Sequence, residues 1–371
     1  MRVRTQLKDI VSFSKGKQIN GDELLVSGKY DYLNGGVLPS GKWNEYNTAG
    51  KTVTISEGGN SCGFVNFMEK PFWCGAHCYY LFEPKINAKY LYYALKSQQS
   101  ELMKIRSGAC MPNIKKNDLG KFEIIYDTDI NEQFKTIKVL DTVSLMIVVC
   151  QKQLQKLDEL VKSRFIELFG DSEHNTRNWP TAKLSSLCYV GSSKRIYQSE
   201  LTDNGIPFLR ISDLNERIDG KDNDPQLFIS TEKFDELRSN RLIPLAGDVL
   251  VTTRGTLGRC YIIKESDSFY FQDGMISWLS NICDSITSLY VSELFATAGV
   301  QKQIANLQAG STVAYLSIAM LKKLDIMLPP LALQNQFAAF VEQVDKSKFV
   351  VQQTLDKAQE LFDSLMQKYF G

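Results

Sequence analysis

The chain has 371 residues, 43 Lys and Arg against 42 Asp and Glu, and a formal net charge of +1. That length holds two domains with a core in each, and the balanced charge excludes a uniformly basic coat for nucleic acid, leaving only local clustering as a route to DNA contact. No apolar run reaches bilayer length and Met1–Ser14 has no signal-peptide core, so the expected compartment is the cytoplasm.

From the N-terminus, residues 1–130 read as a strand-rich portion. QLKDIVSFSKGKQI (Gln6–Ile19), YDYLNGG (Tyr30–Gly36) and KTVTISEGGN (Lys51–Asn60) set β-branched and aromatic runs between Gly and Asn turns. The Gly-rich stretch after Ile55 lacks the Gly-x-Gly-x-x-Gly spacing and reads as a tight hairpin. Cys74, His77 and Cys78, with Cys62 upstream, read as inert thiols on strands rather than a four-ligand zinc site. An amphipathic helical stretch (Lys89–Met103), a Gly-containing turn and a closing strand (Lys121–Tyr126) follow. Residues 131–170 then form a long helix, and the polar residues 171–178 a linker.

The second part repeats this order. AKLSSLCYVGSSKRI (Ala182–Ile196) parallels Gln6–Ile19, and GDVLVTTRGTLGRCYII (Gly247–Ile263) parallels Lys51–Phe67. Ser288–Ile304 parallels Lys89–Met103, and Leu307–Ile326 lies over Ile105–Ile124 with Gly108 matching Gly310. Residues 179–330 are thus a second strand-rich domain and 331–371 a second long helix. A unit of about 200 residues written twice is a duplicated domain, since solenoid periods run about 20–50 residues. The two helices are matched by their Gln-Phe starts (Gln133-Phe134 and Gln336-Phe337) and their Phe-Gly ends.

Apolar residues in the first helix fall at steps of three and four: Phe134, Ile137, Leu140, Val143, Ile147, Cys150, Leu154, Leu157, Val161, Phe165 and Leu168. In the second they fall at Phe337, Phe340, Val344, Val351, Leu355, Ala358, Phe362, Leu365 and Tyr369, with Ser347 or Lys348 left at one seam position. Heptads of this length signal a coiled coil, because either helix alone would need a core about 50 Å long at 1.5 Å per residue. The natural solution is an antiparallel pair relating the two domains by a pseudo-two-fold axis. VSLMIVVC (Val143–Cys150) is apolar around more of the helix than one seam requires, which predicts a docked partner.

Catalytic signatures are missing. The sequence has no Walker A loop and no Asp/Asn-Pro-Pro-aromatic motif, and its two histidines are His77 and His174. The chain reads as a binder, not an enzyme.

The order strand-rich domain, GDVLVTTRGTLG (Gly247–Gly258), short helix, Gly-Ser-Thr turn (Gly310–Thr312), LPPLALQNQF (Leu328–Phe337) and long helix, all duplicated, resembles the specificity subunit of Type I restriction–modification systems. The resemblance covers essentially the whole chain. It implies an α+β fold: two similar target recognition domains joined by an antiparallel two-helix coiled coil. It also implies that each domain reads one half of a bipartite, asymmetric site on double-stranded DNA. Methyltransferase subunits would dock on the helices and bring S-adenosylmethionine, so that no cofactor is expected on this chain, and a motor–nuclease subunit is a further partner. Half-sites one helical turn apart lie about 34–36 Å from each other, within reach of helices under about 55 Å long. The first copy departs from the pattern: SEGG (Ser56–Gly59) stands where the second has TTRG (Thr252–Gly255), exchanging an arginine for a glutamate, and Ile124–Phe134 lacks the double proline.

DNA readers need cations and hydroxyls for phosphate, and Arg, Asn or Gln for base edges. In the second domain these are Arg254 with Thr253 and Thr256, then Lys194, Arg195 and Arg210. In the first they are Lys15, Lys17, Asn34, Ser56 and Asn60. The expected helix and subunit interface is Phe134, Ile137, Val143, Ile147, Leu154, Leu157, Val161, Phe337, Val344, Val351, Leu355, Phe362 and Leu365. The competing reading is a non-catalytic coiled-coil scaffold separating two protein-binding domains.

Overall fold

The computed structural model describes residues 1–108, 112–221, 224–308 and 314–371. The expected Gly310–Thr312 turn lies outside the described residues. Among them no helix is long and apolar enough to cross a membrane. The chain divides into two compact units: unit 1 is Met1–Gln153 with Val351–Gly371, and unit 2 is Leu154–Val350.

Unit 1 opens with β1 (Arg2–Gln6), the short α1 (Leu7–Ile10) and β2 (Ser12–Lys15), then runs through β3 (Tyr30–Leu33), β4 (Gly41–Trp43), β5 (Thr52–Ser56), β6 (Val65–Met68), β7 (Phe72–Cys74) and β8 (Cys78–Phe82). Helices α2 (Ala88–Ser97), α3 (Gln99–Lys104) and α4 (Lys116–Lys121) lead to β9 (Glu123–Asp127) and the long α5 (Ile130–Phe169). The main sheet is antiparallel in the order β2-β8-β5-β6; beside it lie β4-β3-β7, with β3 and β7 parallel, and the pair β1-β9. β5 is flanked on both edges, and all of its TVTIS residues are buried, as a β-branched run at the centre of a covered sheet should be. Asn87 starts α2 by accepting from Lys89 N–H (2.9 Å) and Tyr90 N–H (3.3 Å), and the helix buries Tyr90, Leu91, Ala94 and Leu95 against the sheet.

Unit 2 repeats the plan with β10 (Thr181–Lys183), α6 (Leu184–Leu187), β11 (Tyr189–Gly191), β12 (Leu201–Thr202), β13 (Ile206–Leu209), α7 (Ile211–Ile218), β14 (Phe228–Ile229) and α8 (Thr231–Ser239). Then come β15 (Val249–Thr252), β16 (Cys260–Ile262), β17 (Tyr270–Phe271), β18 (Ile276–Ser280), α9 (Ser288–Phe295), α10 (Ala298–Leu307), α11 (Ile318–Leu321), β19 (Asp325–Met327) and α12 (Leu331–Phe370). The sheets are β11-β18-β15-β16, β12-β14-β13-β17 with β13 parallel to β17, and β10-β19. The order is that of unit 1, with β12, α7 and α8 added. Both Gly-rich stretches are hairpins, β5–β6, as the spacing after Ile55 predicted, and β15–β16 in the second copy. Residues 171–178 are a series of turns fastened by Asp171 N–H to Thr176 Oγ1 (3.0 Å), and Trp179 Nε1 donates to Phe169 O (2.9 Å) beside them.

The long helices pair antiparallel within unit 2. Phe165 and Phe169 of α5 meet Phe337 of α12 edge-on at 5.5 and 5.6 Å, while Asp158 pairs with Lys348 at 2.7 Å, so numbers rise along one helix as they fall along the other. Val161 and Val344 are buried in the same core, with Leu157 packed against it. Lys348, not Ser347, takes the seam position left open in the heptads. In unit 1, Leu140, Met366 and Phe370 are buried in one cluster, with Ile137, Phe362 and Leu365 packed on it. Val143 is buried, and Ile147, Leu154, Val351 and Leu355 are half-buried along the same stripes.

One expectation fails. The two Gln-Phe starts are not equivalent. Gln133 is buried, accepting from Asn87 N–H (3.0 Å) and donating to Asp127 O (2.7 Å). The residue making the matching bonds in unit 2 is Gln334, which accepts from Thr287 N–H (2.8 Å) and donates to Pro329 O and Ser285 O (both 3.0 Å). Aligned on these glutamines, both helices run 40 residues and end together at Phe-Gly, and Phe337 matches Thr136 rather than Phe134. Phe337 is buried and Phe134 is 56% exposed, off the seam. The physical reason is that the buried glutamine caps the preceding loop and sets the helix phase; Phe134, one residue after Gln133, then falls off the seam, and Phe337, three residues after Gln334, falls on it.

Candidate nucleic-acid interface

In unit 1 the loops leaving β2, β3 and β5 and entering β8 converge on a cleft of about 740 Å³. Its walls include Lys15, Asn34, Gly35, Glu57, Gly58 and His77. Two of the residues expected from sequence, Lys15 and Asn34, therefore stand together. Asn34 is anchored at both ends of its amide, accepting from His77 N–H (3.0 Å) and donating to Gln18 Oε1 (3.2 Å). Lys17 is exposed, with its backbone N–H bonded to Cys74 O (2.9 Å), and among the described residues no carboxylate pairs with its ammonium. Asn60 is exposed at the hairpin tip. Ser56 is different: it is buried, and its hydroxyl donates to Gly35 O, so it braces the cleft wall rather than facing solvent.

In unit 2 the same strand ends bring Lys194, Arg195, Arg210 and Arg254 onto adjoining loops. Lys194 N–H donates to Tyr270 Oη (2.8 Å), Gln272 N–H to Leu209 O (2.9 Å), and Thr253 N–H to Met275 O (3.0 Å). Three of the four cations are moderated by acids: Lys194 by Glu236 (3.5 Å), Arg195 by Asp273 (2.9 Å) and Arg210 by Asp213 (3.5 Å). Glu236 is held below the usual carboxylate range by Lys233 first and by Lys194 beside it. Arg254 has no such partner among the described residues. Its guanidinium stacks over the Tyr315 ring at 4.8 Å from the centroid, and its Nε is buried without a hydrogen-bond partner. A donor left open in this way is costly unless something else satisfies it. Thr253 is buried by the strand core, whereas Thr256 is exposed and its carbonyl accepts from Thr252 Oγ1 (2.5 Å).

Backbone bonds settle which turn residues correspond. Glu57 N–H donates to His77 O (2.9 Å) and its carbonyl accepts from Ile114 N–H (2.8 Å). Thr253 makes the same pair of bonds with Met275 and Leu316 (both 3.0 Å). The next residues, Gly58 and Arg254, each bridge antiparallel to Asn113 and Tyr315. Glu57 therefore replaces Thr253, and Arg254 is replaced by Gly58, not by the glutamate. Sequence reasoning singled out none of Glu57, His77 and Tyr315 as site residues; the ion pair of Glu57 with Lys15 and its 3.5 Å contact with His77 Nδ1 join three separate loops and leave no local pattern.

His77 meets Glu57, not the thiols of Cys62, Cys74 and Cys78, which are buried. No group of three or more His, Cys, Asp or Glu suited to a metal ion occurs among the described residues.

Comparison with known proteins bears on the whole chain. The sequence matches the profile described as Type I restriction modification DNA specificity domain twice, over residues 3–159 and 176–359. The type I restriction enzyme MjaVIII specificity subunit of Methanocaldococcus jannaschii is 25% identical, over 92% of this chain and 85% of that protein. A Mycoplasma pneumoniae protein named as a type I specificity subunit is 33% identical over 42% of this chain, a match spanning 40% of the relative's length. A solved structure of a Type I restriction–modification S subunit from M. genitalium superposes with a TM-score of 0.66 at 20% identity, covering 100% of this chain and 96% of that one, and so shares the fold. The expected α+β architecture with an internally repeated domain and paired long helices is thereby established, and the relatives are named as specificity subunits rather than as catalysts. With two matched regions that take in nearly all of its length, this chain belongs to the family of Type I restriction–modification DNA specificity domains.

Proposed function

We propose that the chain is the DNA-recognition subunit of a Type I restriction–modification complex, with unit 1 and unit 2 each reading one half of a bipartite duplex site. The observation that carries this reading is the pair of equivalent loop clusters. They share backbone hydrogen bonds at the β5 and β15 turns and differ in the side chains offered, Glu57-Gly58 against Thr253-Arg254. A repeated frame with exchanged contact residues suits two readers with different targets.

Methyltransferase subunits are the proposed partners on the long helices, supplying S-adenosylmethionine and the chemistry, and a motor–nuclease subunit completes the complex. Support comes from α5, where Leu145 is 63% exposed and Met146, Val148 and Val149 are exposed beside it, a concentration of apolar surface on an otherwise polar stretch. Near-zero net charge predicts weak non-specific affinity for the chain alone, so binding should require assembly.

The test is a gel shift of the full chain mixed with its methyltransferase partner, on cognate and on scrambled duplexes at fixed salt. Sequence-specific retention by the mixture is expected. Binding that ignores sequence, or none, would instead favour a protein scaffold. Replacing the exposed Leu145, Met146 and Val149 with aspartate should abolish partner capture while circular dichroism shows both units folded.

A further inference from the structure

The cleft of unit 1 contains a carboxylate that a phosphate-gripping surface has no use for. Glu57's side chain is 13% exposed, and its carboxylate is held between Lys15 Nζ and His77 Nδ1, the latter at 3.5 Å. The backbone beneath it is fixed by the bonds to His77 and Ile114. Gly58 and Gly59 follow, so the next two residues add no side chain to the cleft wall. The other wall is bare for a stronger reason. Gly35 has φ +81°, and a Cβ there would stand 2.2 Å from His77 O and 3.2 Å from Ser56 Oγ. Only glycine fits, and the cleft is kept open.

A carboxylate accepts hydrogen bonds and donates none; of its roughly four lone-pair sites Lys15 engages one on Oε1, and His77 Nδ1 lies 3.5 Å from Oε2. In the major groove it suits an exocyclic amino group, cytosine N4 above all, and disfavours the acceptor edges of guanine and thymine. The Lys15 ammonium offsets its charge, so that a duplex approaching the cleft is not repelled outright. Unit 2 is the reverse. Thr253 is buried at the matching position, and Arg254 beside it is donor-only, suited to guanine O6 and N7.

We infer that Glu57 is a specificity-determining residue of unit 1, accepting a hydrogen bond from the amino group of a cytosine or adenine at one position of its half-site, with His77 as a positioning residue and Lys15 offsetting the carboxylate's charge. This deepens the DNA-recognition reading and rests on it. The two half-sites are then read with opposite hydrogen-bond polarity at structurally equivalent turns.

The experiment maps the methylated motif left on DNA by the chain assembled with its methyltransferase partners, using the wild type and the variants Glu57→Gln, Glu57→Ala, Lys15→Met and Arg254→Ala. Glu57→Gln should blur one position of one half-site, with a loss of discrimination of roughly tenfold or more, and leave the other half intact. Glu57→Ala should do the same, and the intact half reports that the protein is folded. Lys15→Met should weaken binding to all sequences alike without blurring the motif, which separates base reading from mere support of the cleft. A motif unchanged in both Glu57 variants, while Arg254→Ala alters the other half, overturns the inference and spares the recognition reading. A wild-type complex that leaves no defined motif overturns that reading itself.

Discussion

Unit 1 and unit 2 place equivalent turns after β5 and β15, yet one presents Glu57-Gly58 in an open cleft and the other Thr253-Arg254 against Tyr315. The backbone bonds through Ile114 and Leu316, and through His77 and Met275, are the same in both. What differs is borne by side chains that the ladder does not use. Contact chemistry is thereby uncoupled from folding: a turn whose amides and carbonyls are satisfied by its neighbours tolerates an acid, a base or a glycine at the next atom out. The glutamines at the starts of α5 and α12 show the opposite behaviour. They are buried, they bond backbone on both sides, and both units keep them.

The comparison breaks most readily at those glutamines. Gln334 makes three hydrogen bonds to backbone and Gln133 two. Gln334→Ala leaves the buried Pro329 carbonyl and the part-buried backbone groups of Thr287 and Ser285 without this partner and should cost about 3 kcal/mol, with Gln133→Ala about 2 kcal/mol, both read from urea unfolding. Equal small losses would mean that the two residues do not share a framework role.

A graft across the units sharpens the contrast at smaller cost. A Cβ at Gly58 would stand 3.4 Å from Pro112 O, an ordinary contact, and Gly58 is not among the positive-φ glycines. Gly58→Arg should therefore fold normally and give unit 1 the cation that Arg254 gives unit 2. The expected result is a steepening of the log affinity against log salt slope by about 1, and a gain of roughly 1 kcal/mol at low salt. An unchanged slope would place this turn away from DNA.

The smallest effect is expected on the seam. Lys348 of α12 stands where α5, aligned on the glutamines, has Ile147. Its ion pair with Asp158 is partly solvated, its side chain being 29% exposed. Lys348→Ile should shift stability by no more than about 1 kcal/mol and in the stabilising direction, measured as a thermal midpoint. A large destabilisation would show that the Asp158 pair sets the helix register.

Much of this architecture is legible in the chain itself. Periods of two and of three to four residues are local properties, so the strands, the hairpins, the duplicated order and the two 40-residue helices can be read without coordinates. The absence of a Walker A loop from the sequence is likewise a matter of spacing. Local pattern could not place Phe134, because an apolar residue next to a polar one satisfies two helical phases equally well. Nor could it reveal Glu57, whose partners Lys15 and His77 lie on other loops.

The duplication, the strand and helix order and the glycine turns were determined by sequence alone, because each is written in residues that are neighbours along the chain. The helix phase set by Gln133 and Gln334, the burial of Ser56 and Thr253, and the clamp around Glu57 were decided only in three dimensions. Each depends on a backbone group or charge brought from a distant segment, and burial makes that long-range hydrogen bond outweigh local preference.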